Sequence, residues 1–183
     1  MDSEGRTLIH YRGDYNIVVG PHIDLEKRLE AMDRYDVDMQ VLTLTTPGVE
    51  REEPERGIRL ARVVNDAFSE IVEKYPERFT ALATLPMQEP RAAVEELERA
   101  VGELGLRGVT IFSNVNGKPL DSKEFWPVYE KASKMGVPLF IHPTTPIDEG
   151  AMGDYRLVPI LGFPLDTSLA LLRLVFSGVL KRL

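Results

Sequence analysis

Four short apolar runs, each separated from the next by a segment with helical periodicity, constrain the fold of this chain most strongly. The runs cover residues 39–44, 79–85, 108–112 and 137–141. The intervening segments repeat apolar residues every three or four positions and cover residues 54–75, 90–104 and 122–135. Strands that alternate with helices in this way build βαβ units, so the sequence predicts four parallel strands joined by crossover helices.

Residues at the ends of the helical segments support these boundaries. Asp24 can cap a first helix, and Pro54 and Pro90 suit the first turn of the helices that follow. Gly105 and Gly136 stand where two helices are expected to end, because glycine readily adopts the left-handed conformation of a helix terminus. Each predicted strand then follows within a few residues.

The ends of the chain depart from this alternation. Residues 7–19 alternate apolar and polar side chains around a central glycine, which favours a hairpin or loop over a helix. Residues 158–183 are rich in leucine and predict a buried helix. We therefore expect one domain over residues 1–183, in which residues 1–23 form an irregular or hairpin segment.

The absence of phosphate-binding glycine motifs separates two α/β architectures. Neither G-x-G-x-x-G nor G-x-x-x-x-G-K-S/T follows a predicted strand, which favours a barrel over a dinucleotide-binding sheet. A complete (β/α)₈ barrel needs about 250 residues, and four strands cannot close one. The 183 residues thus predict either an open sheet or part of a TIM barrel.

Composition excludes several classes of function. The net charge of −7, without a basic cluster interleaved with aromatic residues, argues against a nucleic-acid partner. The chain has no cysteine, so any metal must be bound by His, Asp or Glu. The first six residues do not form a signal peptide, and no apolar stretch approaches the roughly 20 residues of a membrane span, so we expect a cytoplasmic protein without a membrane partner.

In parallel α/β folds the reactive side chains follow the carboxyl ends of the strands. His142 is the only histidine at such a position; His10 and His22 fall in the irregular N-terminal region and are expected at the surface. His142 can be a metal ligand or a general base, or it can simply hydrogen-bond a neighbouring loop, and the sequence leaves these alternatives open.

The other strand-end candidates are polar and uncharged. Thr46 follows the first predicted strand, and Asn114 follows the third. Asn114 can hydrogen-bond a substrate carboxylate or help to build a turn, whereas Asn116, which precedes a glycine, is interpreted as a turn residue. Asp166 is interpreted as a helix-start residue, because an acidic side chain is favourable at the positive end of the helix dipole.

Six segments in order resemble those of a known family. They are residues 28–33, 37–42, 76–79, 83–86, 108–114 and 138–143, the last reading Pro-Leu-Phe-Ile-His-Pro, and the match continues through 162–178. This set resembles the amidohydrolase-related family that includes aminocarboxymuconate-semialdehyde decarboxylase and resorcylate decarboxylases. The resemblance covers the chain from about residue 24 to its end, and the four strands correspond to the family's second to fifth.

The resemblance implies a metal-dependent (β/α)₈ enzyme, commonly with zinc, that removes a carboxylate from a muconate-like or phenolic acid. Some relatives instead hydrate or hydrolyse a carbonyl compound. The family binds its metal through an acidic or His-x-His motif on the first strand, a His after the fifth and an Asp after the eighth; the fifth-strand residue matches His142. Thr46 and Asn114 are the candidate contacts for the small carboxylate substrate, on strand-end position alone.

The departures from the family pattern limit these expectations. Residues 1–44 contain neither metal-binding motif, and the chain ends before the family's sixth strand, which carries the catalytic His, and its eighth, which carries the Asp. The remaining metal ligands and the catalytic acid or base are therefore expected beyond this chain, which looks truncated at both ends. One imidazole cannot hold a catalytic zinc, which ordinarily has three protein ligands.

Two other classes of function compete with the decarboxylase. A noncatalytic half-barrel would persist by pairing its open sheet edges with another chain, as a structural or interaction subunit, and such edges predict a homo-oligomer. A metal-free aldolase or isomerase on the same scaffold is disfavoured, because Lys118 and Lys123 lie beyond the strand rather than at its end.

Overall fold

A computed structural model describes residues 6–11, 14–148, 150 and 152–183. It begins with an antiparallel hairpin of β1 (Leu8–Tyr11) and β2 (Asp14–Ile17); the two residues between these strands lie outside the described part. A short helix α1 (Gly20–Ile23) and helix α2 (Leu25–Arg34) follow. The side chain of Asp24 accepts hydrogen bonds from the backbone N–H groups of Glu26 and Lys27, so its predicted role as an N-cap is confirmed.

Four parallel strands in chain order form the centre of the molecule. They are β3 (Gln40–Leu42), β4 (Phe79–Ala81) with its continuation β5 (Ala83–Thr84), β6 (Val109–Phe112) and β9 (Leu139–His142). β3 pairs with β4, and β6 pairs with both β5 and β9. Only Leu82 separates β4 from β5, and its N–H donates to the carbonyl of Leu42 at 3.0 Å, which keeps the sheet continuous.

This strand order identifies the architecture. Each strand lies beside the next strand along the chain, and the order never reverses, as it does at the switch point of a doubly wound sheet. The sheet is therefore an arc of a TIM barrel, and the predicted partial (β/α)₈ fold is confirmed.

Helices cover the convex side of the arc. They are α3 (Pro54–Lys74), α4 (Pro90–Gly102), α5 (Trp126–Met135) and α6 (Phe163–Phe176). α5 ends at Gly136 with φ 66°, as its glycine predicted. A small hairpin of β7 (Asn114–Val115) and β8 (Lys118–Pro119) precedes α5 and turns at Asn116 and Gly117, both with positive φ.

The two faces of the sheet have different surroundings. Side chains such as Phe79, Ala81, Val109 and Ile111 point toward the helices and form the buried core. The alternate side chains line the concave face, which becomes the interior of a closed barrel; they include Val41, Thr80, Thr84, Thr110, Phe112, Phe140 and His142. The strands at the two ends of the arc, β3 and β9, have no second partner among the described strands.

The last long helix corrects one sequence interpretation. A π-helical turn, Val158–Gly162, runs directly into α6, so residues 158–176 form 19 continuous helical residues with a mean hydropathy of 1.5. By length and composition alone this helix could cross a membrane, so the expectation that no apolar stretch approaches that length is wrong. A single such helix is weak evidence for a membrane span, because core helices of soluble proteins pass the same test.

Candidate functional site

The carboxyl ends of the four strands bring the predicted site residues to one edge of the sheet. Thr46 lies in the loop after β3, Asn114 in the segment after β6, and His142 at the end of β9. In barrels this edge carries the active site, because its loops can vary without disturbing the strands beneath them. Thr46 and Asn114 are both buried, and no hydrogen bond joins either of them to His142 within the described residues.

His142 lies on the concave face, directly opposite Phe112 in the parallel pairing of β6 and β9. The two rings meet edge to face, with their centroids 5.5 Å apart. The Nδ1 atom of His142 lies 2.7 Å from the carbonyl oxygen of Pro143. Because a carbonyl oxygen only accepts hydrogen bonds, this contact assigns the proton to Nδ1 and leaves the lone pair on Nε2 available for a metal or a substrate proton.

This geometry accommodates both interpretations of His142 from the sequence. The histidine does hydrogen-bond a neighbouring loop, but it uses only one ring nitrogen to do so. A backbone carbonyl on the second nitrogen is the usual way in which proteins orient a metal-binding imidazole. His142 as a metal ligand therefore remains a prediction with a suitable orientation.

Asn114 is held by three hydrogen bonds. Its amide nitrogen donates to the carbonyl of Thr145 at 2.9 Å and to Oδ2 of Asp166 at 3.1 Å, while its amide oxygen accepts from the N–H of Gly117 at 2.9 Å. Oδ1 of Asp166 accepts from the N–H of Ile147 at 3.3 Å. The pair thus fastens the loop after β9 to the segment after β6 and to the first turn of α6.

These contacts refine two sequence interpretations. Asp166 does lie in the first turn of α6, but its carboxylate binds another loop instead of its own helix. The amide of Asn114 is already committed to partners within the chain, so a substrate contact by Asn114 stays a prediction that would require these bonds to rearrange. Thr46 as a substrate contact also stays a prediction.

Sequence reasoning missed one titratable group at this edge. Glu50, in the loop after β3, is 4% exposed. Burial raises its pKa to about 7, against smaller opposing effects from two backbone hydrogen bonds and from the positive charge of Arg51. The signal was its position only a few residues beyond a predicted strand end, but nothing in the sequence indicated that the loop would bury its carboxyl.

The described residues do not complete a metal site. No group of three or more His, Asp or Glu side chains lies together among them. Of the ligand types that this cysteine-free chain offers, His142 is the one that a barrel strand delivers to the site edge. A catalytic metal in such folds ordinarily has three protein ligands, so His142 fits as one member of a larger set.

The chain is similar in sequence to proteins of a known family. The amidohydrolase family model matches residues 18–183. The chain is 39% identical over 162 residues to 2-amino-3-carboxymuconate-6-semialdehyde decarboxylase of Dictyostelium discoideum, which covers 87% of this chain and 45% of that protein.

The fold of the chain is similar to solved structures of decarboxylases. The crystal structure of 5-carboxyvanillate decarboxylase from Sphingomonas paucimobilis matches with a TM-score of 0.82 and 38% identity, over 85% of this chain and 48% of that one. Dihydroxybenzoic acid decarboxylase from Polaromonas sp. JS666, solved with bound manganese and the inhibitor 2-nitroresorcinol, matches with a TM-score of 0.73 and 31% identity, over 86% and 51% of the two chains. The chain spans about half the length of the relatives it matches.

Proposed function

This chain belongs to the amidohydrolase family, and from that membership we propose that the protein carrying it is a metal-dependent carboxy-lyase acting on a phenolic or muconate-like carboxylic acid. The observation that carries the proposal is His142, which stands at the end of a central barrel strand with Nδ1 committed to a carbonyl and with no hydrogen-bond partner for Nε2 among the described residues. The proteins of known activity that the chain resembles are decarboxylases of such acids.

In this proposal His142 supplies one ligand to a divalent cation, and the remaining ligands come from outside the described residues. Manganese is bound in one of the similar structures, while the resemblance of the sequence favours zinc, so both metals are candidates. A bound divalent cation would polarise an oxygen of the substrate. The ring of Phe112 packs edge to face against the imidazole, and Thr46 and Asn114 are buried at the same edge of the sheet.

The test uses the protein that carries this chain, with its metal content measured by elemental mass spectrometry. Release of carbon dioxide is followed with dihydroxybenzoate, 5-carboxyvanillate and 2-amino-3-carboxymuconate-6-semialdehyde as substrates. We expect His142→Ala to lower turnover at least about 100-fold and to reduce metal occupancy, because metal sites depend on each ligand. His22→Ala, which changes an exposed histidine on α1, is the matched control and should leave both measurements unchanged.

Two alternative functions give different results in the same experiment. A hydrolase or hydratase of this family would bind the metal and lose it in His142→Ala, but it would release no carbon dioxide from these acids. A noncatalytic half-barrel subunit is favoured by the exposed apolar side chains on the concave face, and it would form a defined oligomer without metal. Full activity and metal content in His142→Ala would overturn the proposed role of this residue.

A further inference from the structure

The side chain of Glu50 and the aromatic ring that packs against His142 both lie close to Gly48. A Cβ atom added at Gly48 would lie 2.4 Å from Oε2 of Glu50 and 2.3 Å from Cε2 of Phe112, so these two atoms lie within about 5 Å of each other beside that glycine. Gly48 has φ +74°, which favours glycine. Glu50, Phe112 and His142 therefore form a contiguous row at the site edge.

The loop that carries Glu50 is fastened to two neighbouring elements. The side-chain amide of Gln88 donates to the carbonyl of Val49 at 2.9 Å, and the amide of Asn116 donates to the carbonyl of Glu50. These bonds fix the backbone on both sides of the carboxyl. Oε2 of Glu50 is buried and has no hydrogen-bond partner within the described part of the chain.

Charge around Glu50 does little to stabilise its ionised form. From the other elements that line the hollow of about 560 Å³ beside it, the facing side chains are Gln88 and Asn116, which are neutral. On its own loop, Arg51 attracts the ionised carboxylate, but this effect is smaller than the opposing effect of desolvation by burial. A carboxylate in this position would be buried without a paired cation, so the neutral acid is the form that fits.

We propose that Glu50 is a positioning residue for His142: its neutral carboxyl packs beside Gly48 against Phe112 and so keeps the Phe112 ring edge to face with the imidazole. Ionisation draws the carboxylate toward water and removes this support, so the orientation of His142 depends on pH through a group that does not touch it. The proposed consequence for catalysis rests on the proposed function, but the contact itself does not.

The experiment is nuclear magnetic resonance on the full chain with labelled Glu, Phe and His. The titration of the Glu50 carboxyl carbon and the Phe112–His142 ring cross-peak are followed from about pH 5 to about pH 8.5, across the titration range that burial predicts. Glu50→Gln is the test variant, because it is neutral and nearly the same shape at every pH. Glu53→Gln, which removes an exposed charge from the same loop, is the matched control.

We expect the wild-type cross-peak to lose at least half of its intensity as the Glu50 carbon titrates with a midpoint near 7. Glu50→Gln should retain the cross-peak over the whole range, whereas Glu53→Gln should behave like the wild type. Because only Glu50→Gln removes the charge of Glu50, the difference between the three proteins reports on this residue.

Two outcomes would overturn the inference. One is a pKa of the Glu50 carboxyl near the ordinary glutamate value in the wild-type protein. This result can be measured without any variant. The other is a cross-peak with the same pH dependence in wild type and Glu50→Gln. Neither outcome bears on whether the protein releases carbon dioxide, so this inference and the proposed function can fail separately.

Discussion

The carboxyl of Glu50 is buried and forms no ion pair with any residue that the structure describes, so its ionisation is coupled to folding. Its pKa is raised from 4.5 in the unfolded chain to about 7 in the folded one. Below pH 4.5 the carboxyl is protonated in both the folded and the unfolded state, so Glu50 does not change the free energy of unfolding. Between pH 4.5 and 7 the carboxyl ionises only in the unfolded state, so the free energy of unfolding falls as pH rises. Above pH 7 the full penalty is present, about 3 kcal/mol for a shift of this size.

We therefore expect Glu50→Gln to gain stability relative to the wild type as pH rises. The difference in unfolding free energy should grow by up to about 3 kcal/mol from about pH 4.5 to about pH 8, because glutamine carries no charge to desolvate. Urea denaturation at several pH values measures it. A difference that stays constant with pH would mean that Glu50 ionises as freely in the folded state as in the unfolded one.

Asn114 is a second buried polar residue at the site edge, but its hydrogen bonds are all made. Replacing it with leucine leaves Oδ2 of Asp166 and the N–H of Gly117 without their donor and acceptor. We expect Asn114→Leu to lower the unfolding free energy by about 3 kcal/mol, because buried polar atoms without partners are costly. Ser168→Ala, on the exposed side of α6, should change it by less than about 0.5 kcal/mol.

The measurement for Asn114 also separates its two interpretations. Urea denaturation without any ligand reports the structural role alone. If Asn114→Leu unfolds at the same urea concentration as the wild type, the hydrogen bonds are not stabilising, and a substrate contact becomes the better account of this residue.

At the scale of elements, side chains between the helices and the sheet fix how the layers pack. Asn65 on α3 donates to the carbonyl of Thr84 and to Glu96, and accepts from the N–H of Thr84, so one buried amide joins α3, β5 and α4. Glu96 is in turn paired with Arg99 at 2.8 Å. This network replaces apolar packing at one point of the helix–sheet interface without leaving its charges unpaired.

Helix α6 leaves many of its apolar side chains exposed. Its residues Asp166, Ala170 and Leu174 are buried on one narrow stripe, while Leu169 and Phe176 are 47% and 83% exposed. The expectation of a buried helix is therefore met only on that stripe, and the rest of α6 exposes apolar side chains. The sequence predicts its helical conformation, but the apolar residues all around it do not indicate which stripe faces the sheet.

The packing of α6 gives a direct test at this scale. We expect Leu174→Ala to lower the unfolding free energy by about 3 kcal/mol, because it leaves a cavity against the core. Leu169→Ala, one turn earlier but exposed, should change it by less than about 1 kcal/mol. Thermal and urea unfolding measure both variants. An equal loss of unfolding free energy in the two variants would show that the side of α6 that carries Leu169 is also packed.

At the scale of the whole molecule, β3 and β9 each leave one edge unpaired by any described strand, at the two ends of the arc. Val41 on β3 and Phe140 on β9 lie on the concave face and are 55% and 51% exposed. Unpaired edges beside exposed apolar side chains favour association with another chain. The predicted homo-oligomer therefore has a physical basis in this structure and remains to be measured.

Sedimentation velocity of the full chain tests this expectation. We expect concentration-dependent association in the wild type and at least about tenfold weaker association in the double variant Val41→Lys, Phe140→Lys, because charge on an edge strand opposes pairing. Val63→Lys, on an exposed position of α3, is the control and should associate like the wild type. A wild-type chain that sediments as a monomer at every concentration would contradict the prediction.

The sequence by itself determined the order of the elements and the edge where the site lies. Helical periodicity, the cap at Asp24 and the terminating Gly136 depend on residues close together along the chain, so they can be predicted without knowing the fold. The position of His142 at a strand end follows from the same local pattern.

Only the tertiary structure decided how the polar residues at that edge are used. Two of the three partners of Asn114 lie 31 and 52 residues away, and Oε2 of Glu50 lies near the ring of Phe112, which belongs to a distant strand. Hydrogen bonding and desolvation are set by neighbours in space rather than in sequence. The chain's local pattern therefore placed His142, but packing alone determined the environments of Glu50 and Asn114.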